Sequence, residues 1–491
     1  MIMNPARPLT IQANSARCGH GKTTAIIKEA KRLYCMGESV LIVQPSILLI
    51  EETHRKLPES TPLHNENCDN VAQAIAFNAA QQNKPQILII TSVSFTSYAH
   101  DLSKYTLMID EEIDPVAHHT FNLVETGMKL DLEQWYTLNE SEHADYLKVD
   151  AADPVKLLNA IESKDDVVGI FKAINKAVLS PFHDVYLSST AGDNFLNEEG
   201  VLMMHILLRK ERFDNFKGIM FYGALIENSL MVTALGLDVK VVVPFLRHNA
   251  THLTVYGAKN TGWSKYANTH YKEIKDNFVN YFTDVIDGND YIYLDNNNQG
   301  TQSGGTRIGH NPHGINSYID MQNVVVMSAI NPCAERKKFL SVVCGCDDLD
   351  IKRHMMGNLY YQTVLRTAIR VNGNTKKVNI FCLDGLVADF LLFEYFDDNV
   401  TYIEVPDTDV ADVKKARKAI APMSAYDRKR VCLMRKNYPV LSGVKSSDII
   451  KGDVLSDVNS KGFLKKDIII ALNEMKHDET HYLRQILEIK K

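Results

Sequence analysis

Ala16-Arg17-Cys18-Gly19-His20-Gly21-Lys22-Thr23 is the stretch that decides the fold. Behind it, Thr24 to Met36 carries the apolar spacing of a helix. Small residues ahead of a helix let backbone N–H groups turn toward phosphate oxygens. A lysine can then reach the β and γ phosphates, and a hydroxyl can ligate Mg²⁺. Gly19, Gly21, Lys22 and Thr23 supply those parts in order, with His20 and Thr24 beside them as further candidate binding residues. Ala16 stands where the general pattern has its first glycine. A short strand, Leu9 to Ala13, precedes the loop.

Downstream, Leu107-Met108-Ile109-Asp110-Glu111-Glu112 is an apolar strand that ends in carboxylates. Such an end puts Asp110 near a Mg²⁺ shell and Glu111 where it can polarise an attacking water. Between the two motifs lies a strand-helix-strand interval: Val40 to Val43, Asn70 to Gln82 and Ile87 to Ile90. The two motifs in this order predict a nucleoside triphosphatase with a Mg²⁺ site.

Short apolar runs alternating with helices mean a parallel sheet with crossovers, hence an α/β domain whose ligand lies beyond the carboxyl ends of its strands. The same texture returns at Tyr291 to Leu294, Val324 to Met327, Val378 to Leu383 and Tyr402 to Val405, so a second α/β domain follows the first. The segment from Asp114 to Asn215 is far longer than a loop, is rich in charge, and reads as a helical insertion. The expected order is residues 1–245 with an insertion at about 114–215, then 246–408, then a mainly helical 409–491. Pro244 to Thr251 and Asn296 to Gly305 read as linkers. No solenoid repeat or low-complexity tract stands out.

Composition agrees with a globular chain. Its 491 residues are 45% hydrophobic and 23% charged, enough for about three domains at roughly 150 residues each. Lys+Arg 54 against Asp+Glu 60 leaves a net charge of -6, which argues against a generally basic nucleic-acid binder but permits a basic groove. The amino terminus does not resemble a signal peptide, and Ser39 to Ile50 is too short to span a bilayer. The cysteines lack two-residue zinc spacing and suit a reducing cytosol, so a cytoplasmic protein with no membrane partner is expected. His118-His119 reads as a surface pair rather than a metal site, and Trp263 as a core or linker residue. Lys414 to Lys436 holds nine basic residues against Asp427 alone, with Tyr426 inside and Tyr438 just beyond. That pattern suits phosphate contact with base stacking, or else a solvated helix face.

The phosphate loop followed by Asp110-Glu111-Glu112 resembles motifs I and II of the superfamily 2 helicases. Val40 to Ser46 resembles motif Ia, and Ile89-Ile90-Thr91-Ser92 the next strand end. Phe221-Tyr222-Gly223-Ala224 with Glu227-Asn228-Ser229 sits where motif III belongs but lacks Ser-Ala-Thr; Leu187-Ser188-Ser189-Thr190 competes for the place. Tyr291 to Asn296 resembles motif IV, and Gly314-Ile315-Asn316 with Asn323 to Val326 resembles motif V. Tyr361 to Arg370 resembles motif VI. There Gln362, Arg366 and Arg370 recur every four residues, as on one helical face. In that motif Gln362 would hold the attacking water, and Arg366 or Arg370 would neutralise charge on the transferring phosphoryl group.

The resemblance implies two tandem RecA-like domains and an ATP-dependent helicase or translocase. Its style is that of phage or mobile-element replication and repair helicases, hence a host cytoplasm for a phage protein. Single-stranded or forked DNA would be the partner, with replication or repair proteins beside it. The insertion would serve as a strand-separating wedge, a grip on duplex, or a structural or docking element. An RNA helicase or duplex translocase shares the same site. From another class, a nucleotide-switch scaffold ATPase would not need Gln362, Arg366 and Arg370 in a second domain.

Overall fold

The computed structural model describes residues 10–410, apart from 82–83, 98–100, 123–131, 164–168, 193–194, 196–199, 215, 260–261, 297–301, 303, 311–316 and 372. Strands β1 (Ile11–Asn14), β2 (Ser39–Gln44), β3 (Ser60–Leu63), β4 (Ile87–Thr91) and β5 (Tyr105–Asp110) begin the first sheet. The insertion follows with β6 (Val116–Asn122), β7 (Tyr136–Glu140), β8 (Tyr146–Ala151), β9 (His183–Ser188) and β10 (Val201–Leu208). The chain then returns to the first sheet as β11 (Gly218–Tyr222) and β12 (Val239–Val243). That sheet is seven-stranded in the order β12-β1-β11-β5-β2-β4-β3, and every pairing in it is parallel.

β2 and β5 lie in its middle and bury every residue, so they read as continuous apolar runs rather than alternating ones. Gln44 and Asp110 close their carboxyl ends, where a parallel sheet exposes its ligand-binding edge. Helix α1 (Lys22–Cys35) packs Ile26, Ala30 and Leu33 onto this sheet, and α2 (Ile47–Lys56) follows β2. Ser46 caps α2 by accepting the Leu49 amide at 3.3 Å.

The second lobe is a six-stranded parallel sheet. It comprises β13 (Leu253–Ala258), β14 (Tyr291–Leu294), β15 (Gly305–Arg307), β16 (Asn323–Val326), β17 (Val378–Cys382) and β18 (Thr401–Val405). Their order is β15-β14-β16-β17-β13-β18. Two parallel sheets with crossover helices give the α/β architecture of two RecA-like lobes. Trp263 is fully buried, and its amide donates to Asp384, which makes it a core residue.

The insertion corrects the expectation of a helical subdomain. It carries helices at Pro154–Glu162 and Lys172–Val178, but its frame is a five-stranded antiparallel sheet ordered β6-β10-β9-β8-β7. Leu157, Phe171 and Ile174 pack against Val185, Leu187, Leu202 and Met204 of that sheet. The helices turn Lys156, Glu162, Lys172 and Lys176 to solvent, and the strands that precede and follow them share the apolar core.

The other side of the insertion meets the second lobe. Tyr146, Tyr186 and Val116 share a cluster with Phe339 and Leu340 of the Ala334–Val342 helix. Phe339 stacks on His205 at 4.3 Å between centroids and meets Tyr146 edge-on at 5.2 Å. The expected helical segment 409–491 lies outside the described residues from 411 on, basic stretch included, as does Gly314-Ile315-Asn316.

Candidate active site in the interlobe cleft

The phosphate loop turns through Gly19 at φ +79° and Gly21 at φ +75°, a left-handed region that costs an L side chain roughly 1–2 kcal/mol. Gly19 is constrained twice over: a Cβ there would stand 3.0 Å from Arg370 Cγ of the second lobe. No side chain caps the amino end of α1, so its first amides face the cleft as an anion site. Lys22 is buried, and its ammonium lies 3.4 Å from Glu111 and donates to the Ala16 carbonyl at 3.1 Å. Burial opposes that charge, but Cys18, Glu111 and Asp110 more than restore it and hold the pKa above the ordinary lysine value.

Asp110 sits at the end of β5, 3% exposed. Its carboxylate accepts from Thr23 Oγ1 at 3.3 Å and from Gln44 Nε2 at 3.0 Å. Burial and the neighbouring Glu111 push its pKa up to about 6, against the opposing pull of Gln44, Lys22 and Thr23. A carboxylate and a hydroxyl side by side are hard oxygen donors of the kind Mg²⁺ takes alongside phosphate oxygens and water. Among the described residues no cluster of three or more His, Cys, Asp or Glu forms a metal site made of protein ligands alone. A Mg²⁺ here would therefore depend on nucleotide oxygens as well.

Glu111 adopts φ +75°, uncommon for a residue with a side chain, and its amide donates to the Tyr222 carbonyl at 2.7 Å. That turn swings the Glu111 carboxylate away from the strand and toward the second lobe. Gln362 answers it, donating from Nε2 to Glu111 Oε2 at 3.1 Å; Arg366 donates to Gln362 Oε1 at 3.2 Å. Gln362 and Arg366 are 6% and 5% exposed.

The expectation that Gln362, Arg366 and Arg370 share one helical face is corrected. The Asn358–Val364 helix ends before Arg366, which lies in a turn, and Arg370 closes a separate short turn at Ala368–Arg370. Thr367, extended between them, breaks the helix. All three side chains nonetheless line the same cavity of about 270 Å³ as Gly19, Gly21, Lys22, Thr23, Thr24, Asp110 and Glu111. His20 does not line it. It lies beside Arg17, whose Nε is 2.8 Å from one ring nitrogen.

The motif III candidates separate by topology. β11 pairs with β5 so that Tyr222 stands opposite Asp110, which places Gly223-Ala224 at the cleft, whereas Leu187-Ser188 belongs to β9 of the insertion. Sequence reading missed Gln44, Cys18, Tyr361, Glu112, His354 and Asn358. Tyr361 reaches across the cleft to accept the Cys18 amide at 3.2 Å and is held by His248 at 2.7 Å. Only Gln44 carried a usable signal, a polar residue ending a buried strand next to β5.

No protein-family profile matches the chain, and no curated protein does either. Solved structures do align with it. XPD in its apo form covers 80% of this chain and 97% of its own, at 10% identity and a TM-score of 0.47. Xpd4 of S. tokodaii covers 80% and 96%, at 12% and 0.46. S. cerevisiae Dbp5 bound to RNA and ADP BeF3 covers 85% and 90%, at 12% and 0.37. At these values the likeness says nothing of chemistry, which rests on the chain's own side chains. No helix among the described residues is long and apolar enough to cross a membrane.

Proposed function

We propose that the protein is an ATP hydrolase of the superfamily 2 helicase type, which couples hydrolysis to movement along or unwinding of nucleic acid. One observation carries this reading: Glu111 of the first lobe and Gln362 of the second meet at 3.1 Å in the cavity that the phosphate loop opens into. A catalytic pair divided between two lobes forms only when the cleft closes, so hydrolysis and lobe motion are tied together.

Lys22 and the α1 amides hold the phosphates. Thr23 and Asp110 would hold Mg²⁺, which supplies charge neutralisation at the β and γ oxygens when bound. Glu111 accepts a proton from the attacking water, and Gln362 fixes that water's orientation. Arg366 and Arg370 offer positive charge to the phosphoryl oxygens from the far side.

DNA, single-stranded or forked, is the proposed substrate in the style of phage or mobile-element replication and repair, with RNA or duplex translocation as the alternative. A nucleotide-switch ATPase without unwinding is disfavoured by Gln362, Arg366 and Arg370 all lining the nucleotide cavity. The test measures ATP turnover alone and with single-stranded DNA, duplex DNA and RNA, together with strand separation on forked substrates. Stimulation by a polymer supports the motor; turnover indifferent to every polymer would sink it.

A further inference from the structure

The loop after β5 touches the second lobe at more than the catalytic pair. His354, Asn358 and Gln362 are spaced four residues apart on consecutive turns and all face this loop. Gln362 donates to Glu111 at 3.1 Å, Asn358 donates to Glu112 at 2.7 Å, and His354 Nδ1 stands 3.0 Å from Glu112. His354 lies in a wide π-type turn, Arg353–Gly357, that runs directly into the helix bearing Gln362. Such turns re-aim side chains and recur at functional sites.

The orientation of the Asn358 amide is fixed independently. Tyr395 donates its hydroxyl to Asn358 Oδ1 at 2.9 Å, which leaves the amide nitrogen for Glu112. Glu112 in turn accepts the Met231 amide at 3.4 Å. Both His354 and Glu112 are 13% exposed at the side chain, so their attraction is only weakly screened. These residues border a cavity of about 360 Å³ that shares Glu111 and Gln362 with the nucleotide site.

We propose that Glu112 and His354 form an interlobe positioning pair that sets Gln362 against Glu111, so that turnover depends on a charge that never touches the nucleotide. This rests on the ATP-hydrolysis reading above. Asn358 translates the pair into helix register: with Glu112 anchored, the next turn of the same helix delivers Gln362 to Glu111. A lost His354 charge would free the helix to slide by a fraction of a turn, and a near-attack water tolerates little displacement.

The groups that face His354 are few. Glu112 and Asp114 approach from the β5 loop, Asp114 at 3.8 Å. Arg336 of the Ala334–Val342 helix engages Asp114 from its other side. His310 and Glu111 lie across the shared cavity. On the π-type turn itself, Arg353 is turned toward Glu394 and Asp350. Burial alone disfavours the imidazolium, but the two carboxylates outweigh it and raise the pKa to about 10. The interlobe attraction is thus fully present below the ordinary histidine value and is lost only as pH rises through about 10.

The experiment compares steady-state ATP hydrolysis and thermal unfolding of the full chain and its variants. His354→Gln removes the charge and is expected to lower kcat about tenfold while KM for ATP moves less than about twofold. His354→Lys restores the charge and most of kcat. Asn358→Asp, which sets a second carboxylate against Glu112, lowers kcat in the same way. The double variant Glu112→Gln with His354→Gln is no slower than Glu112→Gln alone, as expected for groups that act as a unit. Wild-type kcat in His354→Gln, or a His354→Lys variant as slow as His354→Gln, would overturn the pair. A wild-type protein with no turnover sensitive to Lys22→Ala overturns the ATP reading itself and this inference with it.

Discussion

The first lobe with its insertion meets the second lobe in two places of opposite character. In the cleft the contact is polar: Gln362 on Glu111, Asn358 on Glu112, Tyr361 on the Cys18 amide. At the insertion it is built on rings, with Phe339 stacked on His205 and flanked by Tyr146 and Tyr186. Each cleft hydrogen bond exchanges with water at a net of about 1 kcal/mol, so the cleft can part once per turnover. Burying Phe339 alone is favourable by roughly 2 kcal/mol, and several rings share that contact. The difference separates chemistry from cohesion: one contact must break and re-form, the other holds the lobes together.

Substitutions on each side should therefore give different signatures. In the cleft, Lys22→Ala is expected to lower ATP turnover by about a thousandfold or more at an unchanged unfolding midpoint, read as phosphate release against calorimetry. Glu111→Gln follows, with about a hundredfold loss of kcat, since a positioned base typically contributes 10²-fold or more. At the insertion the signature inverts. Phe339→Ala should cost about 3 kcal/mol of stability through the cavity it leaves, with turnover per folded molecule changed less than about threefold. A large loss of turnover at an unchanged midpoint in that variant would erase the distinction.

A further expected effect is a pH dependence of the insertion contact. His205 is fully buried, neither ring nitrogen has a hydrogen-bond partner among the described residues although Glu335 stands 3.8 Å from Nε2, and burial with His118 and Arg336 nearby lowers its pKa to about 3. The folded state thus binds fewer protons than the unfolded state between about pH 3 and 6.5, and stability rises with pH across that window. Unfolding midpoints measured from pH 4 to 7 should climb, and His205→Phe should flatten the climb while keeping the stack on Phe339. Buried His183 and His248, lowered to about 4 and about 3, leave a residual slope in that variant, which Asp110, raised to about 6, opposes.

How much could be read from sequence follows the same division. The phosphate loop, Asp110, Glu111, Gln362 and the two arginines stood out in the sequence because chemistry restricts which residue types suit phosphate and water, and they line one cavity. Their convergence survived even where the local geometry differed, as when the helix before Arg366 ended early. The insertion was misread because Tyr146–Ala151 and His183–Ser188 are short strands whose partners are set by antiparallel pairing, not by local pattern. The helices at Pro154–Glu162 and Lys172–Val178 gave the louder periodic signal. Glu112 was visible only as part of an acidic run. Its partners stand some 240 residues away on a helix whose approach depends on both lobes being folded.

The hydrogen bond from the Leu208 amide to the Pro115 carbonyl, 2.9 Å long, extends the β6–β10 ladder to the point where the insertion enters and leaves the first lobe. Entry and exit are thus a single pair of adjacent backbones, and the insertion hangs from the lobe as a cassette on a two-strand neck. Residues 116–207 can in principle be replaced by a tight turn between those strands without re-routing the parallel sheet. That neck lies only a few residues past Asp110 and Glu111, so the two carboxylates of the cleft sit beside the splice rather than within the cassette.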